Sequence, residues 1–291
     1  MSKQVIGLLL NYRDVSRTVR CIRSLLDQGV EHVVVWDNSE DSGVSAAAVA
    51  ILMRDERRVD VQVSTRNLGF AAGVNHALAH CAKNHPQAWV LLLNNDAYLL
   101  DDALRLLRSA LVDSQSAKIA FPSINHAGRI LGLAYYHRLT GFLSWTPRPG
   151  YFAYASGCCL LIATDRIGLP LFDEAFFMYG EDWELGWRLR AADGAMAFVD
   201  ETLVEHEGSA SSGLGSLFYE TQMVAAHLIL IRKLSRSPLE RIVLYVLRVL
   251  MLCARALIRT CRFRSTVPIK ALYQGMKMAI KRQALPFSEI T

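Results

Sequence analysis

Short uninterrupted apolar runs alternate with stretches of helical spacing along the first 115 residues. The apolar runs predict strands at 5–10 (VIGLLL), 32–36 (HVVVW), 59–63 and 89–93 (WVLLL). The helical stretches lie at 15–28, 44–54, 71–81 and 101–112. Buried strands that alternate with helices are typical of an α/β fold, in which helices cover both faces of a mostly parallel sheet.

The pattern is less regular in the second half. Residues 119–155 are rich in Pro, Gly and aromatic residues, which predicts a mobile region that faces a ligand. Strands are predicted at 158–163, 195–199 and 202–205, a helix at 181–192, and two helical segments at 216–234 and 238–262.

Composition narrows the class of protein. With 52% hydrophobic and 20% charged residues, the 291-residue chain can form one large domain or a domain with an appendage, and it is too apolar to be disordered. The six cysteines form no C-x-x-C pair, so we expect neither a zinc site nor a disulfide framework, and free thiols favour a reducing compartment. The first apolar run is too short for a secretory signal, and no run of about 18 apolar residues predicts a membrane-spanning helix.

Polar side chains follow three of the predicted strands. They are Asn11-Tyr12, Asp37-Asn38 and Asn94-Asn95-Asp96. Ligands of open α/β sheets bind beyond the carboxyl ends of the strands, although such residues also close turns. A carboxylate with amides suits Mg²⁺ and a diphosphate, and Mn²⁺ also accepts imidazole. The pattern therefore favours a nucleotide diphosphate, with Asp37 available to accept a hydrogen bond from a base N–H or a ribose hydroxyl.

Two common nucleotide-binding motifs are absent. Neither G-x-G-x-x-G nor G-x-x-x-x-G-K-[ST] follows the first strand, which argues against a dehydrogenase and a P-loop enzyme. The stretch from Gly69 to Gly73 is a weak glycine signal, and close packing of a helix on the sheet explains it equally well.

A second group of chemically interesting residues lies between Phe172 and His206. Gly180 precedes a helix that begins near Glu181-Asp182, where the helix dipole favours an ionised carboxylate, although acids are common in any first helical turn. Trp183 and Trp187 suit either the core or stacking on a sugar ring. His206 ends a predicted strand, and a lone histidine is usually structural.

Seven segments, in order, resemble family 2 glycosyltransferases with the GT-A fold, particularly the bacterial rhamnosyltransferase-like branch. The segments are LLLNYRD, VVVWDNSEDSG, RNLGFAAGVNHAL, VLLLNNDAYL, SGCCLLI, FDEAFFMYGEDWELGWRLRAADG and VEHEGSAS, and they span about residues 4–212. The resemblance implies inverting, metal-dependent transfer of a single sugar from a nucleotide-diphosphate sugar. It favours dTDP-L-rhamnose, with a UDP-hexose as the other donor, and a glycan or polyprenyl-linked acceptor in bacterial surface polysaccharide (O-antigen) synthesis.

The resemblance also implies roles for individual residues. Asp182 would be the general base, and Glu181 would position it or support the acceptor site. Asp96 and His206 would bind Mg²⁺ or Mn²⁺. The donor would contact Asn11, Tyr12, Asp37, Asn38, Asn67, Gly69, Asn94 and Asn95. Asparagines replace the first two residues of the usual D-x-D motif, and the absence of Q-x-x-R-W argues against a processive synthase.

The domain organisation follows from charge as well as pattern. We expect a catalytic domain at 1–215, with a nucleotide-sugar half at about 1–115 and an acceptor half at about 116–215, followed by a basic helical extension at 216–291. Residues 229–291 carry 13 Lys and Arg against 2 acids, whereas residues 1–228 carry 19 against 25. The acidic balance of residues 1–228 and the basic balance of residues 229–291 therefore need separate explanations.

Arginines recur every seven residues in the extension, at Arg241, Arg248, Arg255 and Arg262, with Arg259 beside them. This stripe along an apolar helix predicts an in-plane helix at 238–262 on an anionic membrane, and hence a cytoplasmic protein held at the inner face of the cell membrane. The alternatives are a helix packed on its own domain, or on a second copy in a homodimer, with a solvated Arg face. Nucleic-acid binding is disfavoured, because the body of the chain is acidic.

The sequence alone supports one rival function and argues against another. A non-catalytic GT-A module that binds nucleotide sugar or a partner enzyme is supported by the missing motif carboxylates. A nucleotidyltransferase would need a glycine-rich loop after the first strand, which is absent.

Overall fold

The computed structural model describes residues 3–208, 213 and 215–284. The described strands are β1 (Val5–Asn11), β2 (His32–Asp37), β3 (Val59–Val63), β4 (Trp89–Leu93), β5 (Ala97–Leu99), β6 (Ile119–His126), β7 (Arg129–Leu131), β8 (Ala134–His137), β9 (Leu143–Ser144), β10 (Tyr151–Tyr154), β11 (Cys159–Ile162) and β12 (Met196–His206). The described helices are α1 (Val15–Asp27), α2 (Val44–Leu52), α3 (Gly69–Asn84), α4 (Ala103–Asp113), α5 (Glu181–Leu189), α6 (Leu217–Leu234), α7 (Pro238–Phe263) and α8 (Val267–Ala284).

The chain forms two compact units. Unit 1 contains residues up to 133 together with 155–172 and 189–208, and unit 2 contains 134–154, 173–188 and the residues from 209 onward. The predicted catalytic domain and helical extension divide the chain at 215 instead, and that division stays a prediction.

Unit 1 is built on one sheet with the strand order β3-β2-β1-β4-β11-β6-β12-β5, and β7 pairs with β6. The first four strands are mutually parallel, as predicted. Beyond β4 the sheet is mixed, since β11 runs antiparallel to both of its neighbours and β12 is parallel to β6 but antiparallel to β5. The prediction of an α/β fold is therefore confirmed, with a mixed second half of the sheet.

Helices cover both faces of β1. Side chains alternate across a strand, so Gly7 and Leu10 belong to opposite faces. A Cβ on Gly7 would lie 3.0 Å from Leu25 of α1, and a Cβ on Gly73 of α3 would lie 3.1 Å from Leu10. Gly73 thus allows α3 to approach the sheet closely, which explains at least part of the glycine signal at 69–73.

Several predicted elements need correction. Residues 119–155, predicted to be a mobile region, contain the strands β6 to β10. The strands predicted at 195–199 and 202–205 form the single strand β12, whose register with β6 shifts between Val199 and Val204. The helix predicted at 181–192 ends at Leu189.

Unit 2 combines a small sheet, ordered β10-β8-β9, with helices that pack on one another. Helix α7 begins at Ser237, whose side chain accepts a hydrogen bond from the Glu240 N–H, and Pro238 occupies the first turn. It ends at Arg264, which adopts a left-handed conformation with φ 49°. Helix α8 then follows, so three helices, α6 to α8, stand where two were predicted.

Three arginines of the α7 stripe face inward, contrary to the predicted solvated or membrane-facing edge, whereas Arg241 and Arg262 are exposed. Arg248 is fully buried and donates hydrogen bonds to the Tyr136 hydroxyl and the Arg138 carbonyl. Arg255 and Arg259 both form ion pairs with the buried carboxylate of Glu220 on α6. The prediction of a solvated edge failed for these three arginines because their partners come from other elements of unit 2.

No helix within the described ranges is both long and apolar enough to cross a bilayer. The six cysteines carry free thiols, four of them buried.

Candidate functional site

A buried polar network lies where β1 and β2 end. Asn11 and Asp37 are register partners in these parallel strands. The Asn11 amide donates a 2.6 Å hydrogen bond to Asp37 Oδ1, which also accepts a 2.6 Å bond from the Ser39 hydroxyl. The side chains of Asn11 and Asp37 are almost fully inaccessible to solvent. The strand register therefore holds Asp37 in one orientation.

The other carboxylate oxygen of Asp37, Oδ2, is buried and has no hydrogen-bond partner. The side-chain oxygen of Asn38 is also buried without a hydrogen-bond partner. The amide nitrogen of Asn38 donates to the Gly69 carbonyl at 2.8 Å. Buried acceptors without a partner are costly. Two of them on adjacent residues at a strand end are what a site that accepts hydrogen bonds from a ligand would present.

The residues predicted at 67–69 join this edge. Asn67 accepts a 2.9 Å hydrogen bond from the backbone N–H of Gly69, and Gly69 has a φ of +78°, a conformation that favours glycine. Because Asn38 holds the Gly69 carbonyl, the turn before α3 is attached to the end of β2.

The network continues toward Asn95. Its amide donates to the Thr18 hydroxyl at 3.1 Å, and that hydroxyl donates to Asn11 Oδ1 at 2.7 Å. The backbone N–H of Asn94 donates a 2.9 Å hydrogen bond to the Cys158 carbonyl. Tyr12 is partly exposed, with the Arg13 guanidinium 5.4 Å from its ring centroid.

Asp96 and His206 meet because two strands pair. Strand β12 pairs with β5 so that His206 lies opposite Ala97, the residue after Asp96. His206 Nε2 is 3.0 Å from Asp96 Oδ1. Burial alone would raise the pKa of Asp96, but the hydrogen bond and charge of His206 outweigh it and leave that pKa below its usual value. Asp96 therefore stays ionised at neutral pH.

Sequence reasoning missed His126. Strand β12 also pairs with β6, which sets His126 opposite His206, and their Nδ1 atoms are 2.9 Å apart. Burial, followed by the neighbouring His206, lowers the pKa of His126. Nothing in the local sequence of Asn125-His126-Ala127 marks this residue, because only the long-range pairing of the strands brings it to the site.

Sequence reasoning also missed a cluster of charges beside Asp96. Arg17 and Arg20 of α1 form ion pairs with Glu207, at 2.7 and 2.6 Å. A cavity of about 150 Å³, open solvent included, is lined by these three residues with Asn95, Asp96, Ala97 and Tyr98. The two guanidinium groups, which Asp14 and Glu207 partly neutralise, lie next to the strand ends where a diphosphate was predicted.

A divalent metal fits this edge if a ligand supplies further oxygens. No group of three or more His, Cys, Asp or Glu side chains in the described part of the chain is arranged to hold a metal. Asp96 and His206 supply one carboxylate and one imidazole, a pair that suits Mn²⁺. Mg²⁺ and Mn²⁺ commonly bind through one or two carboxylates together with substrate phosphates, so two protein ligands are enough here.

The other predicted acids, Glu181 and Asp182, begin α5 in unit 2. Gly180, with a φ of +91°, turns the chain into this helix. Asp182 Oδ1 accepts a 2.9 Å hydrogen bond from the backbone N–H of Trp183. Glu181 Oε2 is buried and has no partner.

Burial raises the pKa of both carboxyl groups, and the Asp182 charge raises that of Glu181 further. The helix N-terminus was expected to keep Asp182 ionised. The cost of desolvating the charge exceeds the contribution of the backbone N–H groups, so the pKa of Asp182 lies above its usual value. A carboxyl with a raised pKa is well matched to accept a proton near neutral pH.

The two tryptophans of α5 belong to the core of unit 2. The Trp183 ring packs between those of Tyr136 and His227, with centroids 4.7 and 4.8 Å away. Trp187 donates its indole N–H to the Lys233 carbonyl at 3.1 Å. The core interpretation therefore accounts for both, and neither is needed to stack on a sugar.

Solved structures with similar folds are glycosyltransferases. The chain matches Staphylococcus aureus TarS 1-349 in complex with UDP at a TM-score of 0.51 and 14% identity, over 86% of this chain and 70% of that one. It matches GalNAc-T7 with UDP, GalNAc and Mn²⁺ at 0.56 and 12%, over 78% of this chain and 48% of that one. At these identities the likeness shows the fold, which is the GT-A fold of glycosyltransferases.

Sequence comparison identifies the family. The profile of glycosyl transferase family 2 matches residues 10–163, more than half of the chain. The chain is also 27% identical, over 226 residues, to the N-acetylglucosaminyl-diphospho-decaprenol L-rhamnosyltransferase of two Mycobacterium tuberculosis strains, which covers 65% of this chain and 71% of that protein. The chain is a glycosyltransferase and belongs to glycosyl transferase family 2.

Proposed function

We propose that this enzyme transfers a single sugar, with inversion, from a nucleotide-diphosphate sugar to a polyprenyl-linked or glycan acceptor. The observation that carries the proposal is the Asp96–His206 pair at the sheet edge that also holds Asp37. The donor most consistent with the mycobacterial relative is dTDP-L-rhamnose, and a UDP-hexose is the other candidate. The role in surface polysaccharide synthesis at the cytoplasmic face of the membrane belongs to the same proposal.

The donor half of the proposed mechanism lies in unit 1. Asp37 Oδ2 accepts a hydrogen bond from the nucleoside, and its partner oxygen is already held by Asn11 and Ser39. The remaining donor contacts are proposed for Tyr12, Asn38, Asn67, Gly69, Asn94 and Asn95. Arg17 and Arg20 stabilise the negative charge of the diphosphate. Asp96 and His206 would hold Mg²⁺ or Mn²⁺, which when bound stabilises the leaving diphosphate as a Lewis acid.

The proton transfer is proposed for unit 2. The acceptor hydroxyl oxygen forms the new bond to the anomeric carbon while the bond from that carbon to the diphosphate oxygen breaks. The hydroxyl proton passes to the Asp182 carboxylate, and the electron pair of the broken bond leaves with the diphosphate. Attack opposite the leaving group inverts the configuration in one step. Glu181, whose pKa is raised by burial and then by the charge of Asp182, is proposed to position the base or to support the acceptor site.

The experiment is a transfer assay with dTDP-L-rhamnose and UDP-hexoses on a polyprenyl-diphosphate-linked sugar acceptor, with Mn²⁺ or with EDTA. Asp182→Asn should lower kcat by about 10²–10⁴-fold and leave donor binding unchanged. Asp193→Asn, at an exposed aspartate, is the matched control. Retention of configuration at the anomeric carbon, or full activity of the Asp182→Asn variant, would contradict the mechanism. Folded wild-type protein that binds no donor would favour the non-catalytic alternative.

A further inference from the structure

Helix α7 exposes an apolar face. Leu239, Val246, Leu250 and Leu257 fall on one side of the helix at spacings of four or seven residues, and each is more than half exposed. Their exposed neighbours are Ile242, Val243 and Ile258. We call these seven residues the α7 apolar face. A contiguous apolar surface of this kind on a soluble domain marks an interaction site.

The inward turn of Arg248, Arg255 and Arg259 makes this face unusual. In most surface helices the apolar side is buried and the charged side is solvated. In α7 these three arginines pair with groups inside unit 2 beside the buried Leu244 and Leu252, and a second set of apolar side chains lies outside. The face is therefore available to an apolar partner.

The charges of α8, which packs against α7, point to an anionic partner. Along its exposed side, α8 carries Ile269, Tyr273 and Ile280 next to Lys270, Lys277 and Lys281. Residues 238–284 hold one acid, Glu240, against six exposed cations, which are these three lysines with Arg241, Arg262 and Arg264. That glutamate forms an ion pair with Arg138 and accepts a hydrogen bond from the Arg236 backbone N–H, so it does little to offset the exposed lysines.

We propose that α7 and α8 dock this protein on an anionic lipid bilayer, with the α7 apolar face among the acyl chains at the membrane surface and the lysines of α8 near lipid phosphates. Apolar burial and attraction to anionic lipids add together in such helices. A second copy of the chain is the less suitable occupant, because it would bring two strongly cationic surfaces together. The docking rests on the proposed role at the membrane face, and its measurement does not require the transfer reaction.

The test is vesicle flotation of the full chain with phosphatidylcholine alone and with added phosphatidylglycerol, at low and high salt. Wild-type protein should float with the anionic vesicles and less so at high salt. The double substitution Val246→Asp with Leu250→Asp should lower the partition coefficient by about tenfold or more. Lys277→Glu with Lys281→Glu should lower it by about fivefold for each charge removed. The matched control is Ile51→Asp with Val112→Asp, two exposed apolar residues of unit 1, which should bind like the wild type.

Circular dichroism and thermal unfolding establish that each variant is folded. The proposal is overturned if wild-type protein does not float with anionic vesicles, or if the α7 variant floats as well as the wild type. It is also overturned if the wild type is a dimer that binds no vesicles and the α7 variant is a monomer. The Asp182→Asn variant should float normally, so failure of the transfer mechanism and failure of the docking are distinguishable.

Discussion

His206 Nε2 lies 3.0 Å from Asp96 Oδ1, although 110 residues separate the two in the chain. The pairing of β12 with β5 creates this contact, and the pairing of β12 with β6 brings His126 to the other side of the same imidazole. When Nε2 of His206 is free to bind a metal, its proton lies on Nδ1, which then donates to Nδ1 of His126. The arrangement orients the imidazole in the way that outer partners orient metal-binding histidines.

Metal-dependent donor binding should depend on this pair. Asp96→Asn and His206→Ala should each weaken nucleotide-diphosphate binding in the presence of Mn²⁺ by about tenfold or more, and abolish the difference between Mn²⁺ and EDTA. Titration calorimetry measures both effects. Asp60→Asn and His80→Ala are matched controls, because these residues form another Asp–His pair of unit 1, with Oδ2 and Nε2 2.7 Å apart. Unchanged Mn²⁺ dependence in the Asp96 variant would exclude the proposed metal site.

Asp37→Asn should weaken binding of every nucleotide that the enzyme recognises. The substitution replaces a buried acceptor by an amide at the position of Oδ2, so the donor Kd should rise about tenfold or more, the effect of losing a hydrogen bond to a charged group. Asp41→Asn is the control in the same loop, since the Asp41 carboxylate bonds to Ser45 within its own helix start. Equal affinities for both variants would contradict a nucleoside contact at Asp37.

The pH dependence should report the buried carboxyl pair. Asp182 must be deprotonated to accept a proton, and its pKa is raised by burial. We therefore expect kcat/KM to rise with pH through an apparent pKa well above the usual aspartate value of about 3.9, and then to level off. A pH–rate profile at saturating metal measures this. An activity that is already constant from about pH 5 would show that the pair is not the base.

Glu181→Gln should stabilise the protein at high pH. The folded state raises the pKa of Glu181, so it binds the proton more tightly than the unfolded chain does. The contribution of Glu181 to the stability of the protein is then fully present below the ordinary glutamate pKa of about 4.3. It is lost as the pH rises toward the raised value. Thermal unfolding should show a higher Tm for the variant at alkaline pH and little difference at acid pH. Glu184→Gln, which breaks the ion pair with Arg188 on the same helix, should give no such gain.

Arg248 and Arg241 should respond differently to substitution, although both lie in the seven-residue arginine repeat. Arg248→Ala would leave the Tyr136 hydroxyl and the Arg138 carbonyl without their buried donor, so we expect a loss of about 3 kcal/mol in the free energy of unfolding. Arg241 is exposed, and Arg241→Ala should have little effect. Urea unfolding measures both. Equal effects would contradict the buried role of Arg248.

Much of unit 1 was predictable because its signals are local. The apolar runs that became β1, β2 and β4 are buried as parallel strands, and the polar residues after them lie at one edge. Asp37 and Asp96 could be selected because the end of a buried strand is visible in the sequence. The Asn11–Asp37 hydrogen bond also follows from the register of neighbouring parallel strands.

Other features depend on contacts between distant residues. The amino-acid sequence alone determined the strand–helix alternation, the strand-end acids and the excess of positive charge after residue 228. Tertiary structure decided that His126 joins His206, that burial raises the pKa of Asp182, and that Arg248, Arg255 and Arg259 of α7 turn inward. Hydrophobic periodicity reports which side chains avoid water, whereas the partner of a buried charge is set by the elements that pack around it. Long-range strand and helix packing therefore established the electrostatics of this enzyme.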